Sequence, residues 1–153
     1  MSAYKLPNTN ELNQSLEMIL GAQAKITECD ALGANGASHA AEFTNRQDEV
    51  VAYCLCDLPL AAGLGAALSM VPPAAAEDMV EEGALSEMAT ANLHEVMNIF
   101  SALYMDDSTA HLKLSSVAAA NDTGVSLEGE THEITFDLDT GKYGKGKVRF
   151  ISK

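Results

Sequence analysis

The feature that most restricts the fold is a block of helix-forming sequence from Pro59 to Tyr104 that contains no strand, while strand-like segments lie on both sides of it. A chain that alternated strands with crossover helices would spread its helices out, so this grouping predicts an α+β architecture rather than a parallel α/β one. Pro59 starts the first helix of the block, from about Leu60 to Val71, where Gly63, Gly65 and the alanines permit close packing. Pro72-Pro73 ends that helix, and Pro73 opens a second one through Val80, because proline fits a first helical turn but not a helix interior. The third and longest helix runs from about Leu85 to Tyr104.

Ahead of the block, Leu12, Leu16, Ile19, Leu20 and Ile26 recur at helical spacing and predict a helix from Asn10 to Ile26, capped by Asn8, Thr9 or Asn10. Residues 27–47, with Gly33 and Gly36, read as one or two short strands with turns. Glu49 to Leu58 is dense in β-branched and aromatic residues on both faces, which suits an interior strand. Behind the block come a strand at His111–Val117, a polar loop at Ala119–Gly124 and a hairpin. In the hairpin, Ile134, Phe136 and Leu138 alternate with Glu133, Thr135, Asp137 and Asp139, the turn is Asp139–Lys142, and the return strand runs from about Gly146 to Ile151. The expected fold is a single domain over residues 1–153, a mostly antiparallel sheet with helices packed on one side.

Charge narrows the function. The 153 residues hold 9 basic and 22 acidic side chains, a formal charge of −13. Such a chain is repelled by phosphate backbones and anionic lipid surfaces, so neither a nucleic acid nor a membrane is an expected partner. The apolar stretch Leu58–Ala76 is broken by three prolines and does not suit a bilayer span. The first residues show no basic segment followed by an apolar run, which points to the cytoplasm. Lys142, Lys145, Lys147, Arg149 and Lys153 lie in a final stretch without acidic residues. Two readings of that stretch stand: lysines that protect an edge strand from pairing with other chains, or a patch that steers an acidic partner.

Several chemistries find no support. Cys54 and Cys56 share one face of a strand and read as small buried hydrophobes. His39, His94, His111 and His132 lack the spacing that sets two imidazoles on one helical face. Ser69, Ser86 and Ser101 have no G-x-S-x-G setting, and Gly63-Leu64-Gly65 lacks the G-K-[ST] ending of a phosphate loop. Glu77-Asp78 and Glu81-Glu82 read as a solvated helix face. Met88 and Met97, at the two edges of the long helix's apolar half, read as packing groups.

The long helix carries the functional signal. At 100° per residue, Leu85, Met88, Ala89, Leu93, Val96, Met97, Ile99, Phe100, Leu103 and Tyr104 form an apolar half, with Asn92 as a polar intruder. Glu87, Thr90, Ala91, His94, Glu95, Asn98, Ser101 and Ala102 form the other half, on which Glu95 and Asn98 are neighbours three positions apart. A carboxylate there can bind a cation on a partner. An amide can donate and accept together, and so position a water for in-line attack on a phosphoryl group.

The segment Asn92-Leu93-His94-Glu95-Val96-Met97-Asn98-Ile99-Phe100, on a long helix that follows a strand and an Ala/Gly-rich helix and precedes further strands, resembles the CheC/CheX/FliY chemotaxis phosphatases, in a CheX-like arrangement. The resemblance implies that the partner is a phosphorylated CheY-like response regulator. Glu95 would dock the regulator's active-site Lys and Asn98 would orient the attacking water. It implies no cofactor of the chain's own, since Mg2+ sits in the regulator's acidic pocket, and it implies a homodimer, with an edge strand of the C-terminal hairpin as a seam. Glu11-x-x-Gln14 on the first helix stands where a second site of the CheC type would lie. Ala91 stands where the family often has Asp or Ser, Ile99-Phe100-Ser101-Ala102 holds no glycine, and no proline follows Pro73. These departures carry the alternative, a catalytically inactive CheC-like binding or assembly module in chemotaxis or two-component signalling. A small-molecule sensor built around the Ala/Gly-rich helix is a third class.

Overall fold

The computed structural model describes residues 4–30, 32, 36–120 and 131–153. Helix α1 (Thr9–Leu20) leads into β1 (Lys25–Cys29), β2 (His39–Thr44) and β3 (Val50–Cys56). The helical block follows as α2 (Leu58–Leu68), α3 (Pro73–Glu82) and α4 (Glu87–Ser101), with a 3-10 turn at Ala102–Tyr104. Strand β4 (Lys113–Ala119) precedes the hairpin of β5 (His132–Asp139) and β6 (Lys145–Ser152), which is closed by a 3-10 turn at Gly141–Tyr143. The six strands form one antiparallel sheet in the order β1-β5-β6-β3-β2-β4.

The expected α+β class, the antiparallel sheet and the one-sided helical layer are what the molecule has. Its main core lies between that layer and one sheet face, where Phe43, Cys54, Phe136, Val148 and Phe150 meet Leu12, Leu16, Leu64, Leu93, Val96 and Phe100. Phe150 is the hub of an aromatic cluster, with ring centroids 5.7 Å from Phe100, 5.9 Å from Tyr104 and 6.2 Å from Phe136, separations at which edge-on and tilted rings attract. The buried Tyr104 hydroxyl donates to the Tyr53 carbonyl at 2.6 Å. On the far face, Ala40, Tyr53, Leu55 and Ile151 form a small second cluster with Leu32, Ala37 and Val50 packed against it.

Three expectations are corrected. The first helix stops at Leu20 and not at Ile26, because Gly21 takes the left-handed conformation (φ 72°) and caps it, which leaves Ile26 to β1. The long helix begins at Glu87 behind its Ser86 cap and tightens into the 3-10 turn after Ser101. The hairpin is not an edge: β5 pairs with β1 and β6, and β6 pairs with β5 and β3. The edge-protection reading and the dimer seam on the hairpin fall with it, since among the described residues the sheet's edges are β1 and β4. The basic residues of β6 stand instead opposite acids, Lys145 against Asp139 and Lys147 against Asp137 in register, with Arg149 bonded to Glu133. Of the expected turns and loops, Gly33 and residues 121–124 lie outside the described residues.

Candidate active site

The α4 helix is placed by what lies under it. Ser86 caps its start by accepting the Ala89 N–H at 3.1 Å, and Glu87 sits in the first turn, where the helix dipole favours a negative charge. Leu93, Val96, Met97 and Phe100 are buried against the sheet and α1–α2. Along one side α4 meets α2 almost backbone to backbone: a Cβ added to Gly65 would stand 3.0 Å from both Ala89 Cβ and Ala89 O. The contact is locked by Asn92, whose Nδ2 donates to the Gly65 carbonyl at 2.8 Å and to Ser69 Oγ at 2.7 Å. The polar intruder of the sequence is therefore the residue that sets α4's rotation.

That rotation turns Ala91, His94, Glu95, Asn98 and Ala102 outward. Glu95 and Asn98 are both exposed, one helical step apart, and among the described residues neither side chain takes part in a hydrogen bond or ion pair. The Asn98 carbonyl is engaged, accepting the Ser101 hydroxyl at 2.6 Å, but its amide is not. Ser101 itself is buried rather than on the open face, so the low surface around the pair is made by Ala91 and Ala102. Phe100 is buried against Phe150 and leaves the open face clear. Met97 is buried while Met88 is about one-third exposed at the rim.

The other groups singled out in the sequence do not converge. His94, His111 and His132 are exposed on separate elements, and His39 is half-buried beside Ser38 Oγ at 2.8 Å. Burial holds the His39 imidazole below its ordinary pKa. Burial pushes the thiols of Cys54 and Cys56 up, so they stay protonated and inert. No group of three metal-ligating side chains comes together among the described residues, and none of their helices is long and apolar enough to cross a membrane. Sequence reasoning missed Asp57, which caps α2 by accepting the Leu60 N–H at 3.0 Å with Oδ1 and ties it to β6 by accepting the Lys147 N–H at 3.1 Å with Oδ2. Desolvation pushes its carboxyl up, against the pull of those two donors. The signal available was an Asp two residues ahead of Pro59 at a helix start.

This antiparallel sheet with helices packed on one face is the fold of solved CheC-like, CheX and FliY structures. Among solved structures, a chain of the FliM–SpeE complex from H. pylori superposes with a TM-score of 0.66 at 10% identity, over 94% of this chain and 80% of that one. FliY from Thermotoga maritima gives 0.64 at 15% identity, over 92% and 81%. A chain of the CheX–CheY–BeF3–Mg2+ complex from Borrelia burgdorferi gives 0.52 at 14% identity, over 91% and 90%. No family model matches the chain, and no curated protein matches it in sequence.

Proposed function

We propose that this chain acts on a phosphorylated CheY-like response regulator and hydrolyses its aspartyl-phosphate. The observation that carries the reading is the pair of exposed, unengaged side chains on α4, Glu95 and Asn98. Glu95 docks a cationic side chain of the regulator. Asn98 enters the regulator's pocket, accepts from and donates to a water, and holds it in line with the phosphorus, so that catalysis is positioning rather than covalent chemistry. The regulator carries the Mg2+. The likeness to a CheX–CheY complex supports this partner, and the cytoplasm and a homodimer belong to the same reading.

The second reading is an inactive binding or assembly module. Ala91 favours it, as does the fact that FliM and FliY chains superpose with higher scores than the CheX complex. Both readings are separated by following the decay of phosphorylated regulator with wild-type protein, Asn98→Ala and Glu95→Ala. Phosphatase action predicts faster decay that Asn98→Ala abolishes, whereas Glu95→Ala raises the concentration needed. A stable complex that survives Asn98→Ala without changing phosphate lifetime establishes the module instead. Equal decay with and without protein, across CheY-type partners, refutes the hydrolysis.

A further inference from the structure

The basic residues at the β5–β6 turn border a second feature, which no residue of α4 lines. A cleft of about 510 Å3 opens between α3 and this turn. Glu77 and Glu81, four positions apart on α3 and both exposed, line one wall. Exposed Lys142 and Lys145 line the other, over an apolar floor that includes Ala76, Val80 and Tyr143. Opposite charges that share a cavity would be expected to close on each other, yet among the described residues none of these four makes an ion pair.

The walls are held apart by the backbone. The Tyr143 hydroxyl donates to the Val71 carbonyl at 2.7 Å, and the Tyr143 carbonyl approaches Gly63 so closely that a Cβ there would stand 2.7 Å from it. The turn is thereby pinned to α2, and Pro73 fixes the start of α3. Lys142 Nζ rests 5.6 Å from the Tyr143 ring centroid, and Lys145 has Asp139 as its cross-strand neighbour. Val80 remains 38% exposed at the cleft, an apolar group without a cover.

We propose that this cleft binds a short free peptide: its ammonium on Glu77 and Glu81, its carboxylate on Lys142 and Lys145, and an apolar side chain on Val80 and Tyr143. The volume lies within the usual range for ligand sites. The two signs of charge on the walls call for a ligand with both a free ammonium and a free carboxylate, and an extended dipeptide separates these by about 3.5 Å more than a free amino acid does, so the two ligands differ in the wall spacing they fit. The site is independent of the α4 pair, which contributes no lining residue.

The test is an amide-resolved NMR titration of the whole chain with alanyl-leucine, its N-acetyl form, its C-terminal amide and free leucine. The expected result is saturable shifts confined to residues 73–81 and 141–145, with each blocked dipeptide and leucine binding at least five-fold more weakly. Lys142→Ala with Lys145→Ala should erase the difference between free acid and amide. Glu77→Gln with Glu81→Gln should erase that between free and acetylated amine. All four positions are exposed, so the fold survives these changes, and the unperturbed part of the spectrum reports it. No saturable shift at millimolar dipeptide, binding indifferent to the termini, or shifts centred on α4 overturns the proposal.

Discussion

Substituting Gly146 by alanine tests how α2 is seated on the sheet. Gly146 is buried in β6, and a Cβ there would lie 2.5 Å from Leu60 Cβ and 2.7 Å from both Leu60 N and Asp57 Oδ1. Ordinary contact needs about 3.5 Å or more, so the first turn of α2 must lift by roughly 1 Å. Asp57 and Leu60 move together, which spares the cap within α2, but the two bonds to β6 are stretched: Lys147 N–H to Asp57 Oδ2 at 3.1 Å and Asp57 N–H to the Lys147 carbonyl at 3.2 Å. Losing two hydrogen bonds costs about 1 kcal/mol each, and the overpacking itself about 1–3 kcal/mol. The expected loss is roughly 3–5 kcal/mol, which for a chain of this size lowers the Tm by about 6–20 °C. Thermal unfolding followed by circular dichroism measures it. Gly83→Ala is the control, because Gly83 has φ 74° with nothing within 4 Å of its added Cβ, so it suffers backbone strain of about 1 kcal/mol and no clash. A Gly146→Ala protein that melts no lower than the Gly83→Ala control would refute the account of α2 seating.

Three further outcomes are expected. Tyr104→Phe removes the 2.6 Å bond to the Tyr53 carbonyl in the core and lowers the urea midpoint by the equivalent of about 1–3 kcal/mol, with the near-ultraviolet spectrum otherwise native. His39 is held below its ordinary pKa of 6.5 by burial, so the unfolded chain takes up its proton first; stability falls as the pH drops through that value, and His39→Gln reduces the loss between about pH 7 and pH 5 in paired urea titrations. A thiol reagent added to the native protein should modify Cys29, which is half-buried, well before Cys54 and Cys56, which are buried with raised pKa values; equal rates at all three would show that the sheet opens more freely than its packing implies.

The sequence was most readable where a backbone rule operates alone. Pro59 and Pro73 mark the starts of α2 and α3 because a ring-locked φ and a missing N–H leave little choice. The Glu95/Asn98 pair was legible because helical period alone assigns a face. Ile26 fooled the same period: it stands seven positions after Ile19, and what separates the two is Gly21 in a left-handed conformation that apolar spacing does not register. The basic strand misled for another reason. In a sheet roofed on one face, every second residue of an interior strand reaches the outer face, so β6 shows Lys145, Lys147 and Arg149 as an edge strand would. Its interior place depends on partners that are distant in sequence, β3 above all. Asn92 looked like a flaw in an apolar stripe because its acceptors, Gly65 and Ser69, lie more than twenty residues away.

The central position of β6 also governs the order in which this molecule can be built. It is the last of the described strands, yet it fills the gap between β5 and β3. Until residues 145–152 arrive, β3 and β5 each present an open row of backbone donors and acceptors, and the Phe150 ring that joins the aromatic cluster is missing. During synthesis β1 and β3 therefore wait with open, aggregation-prone edges for the β5–β6 hairpin that fills the gap between them. Closure waits on a contact between residues about a hundred positions apart, which makes folding slow for its size and makes the arrival of one strand the step that commits the chain.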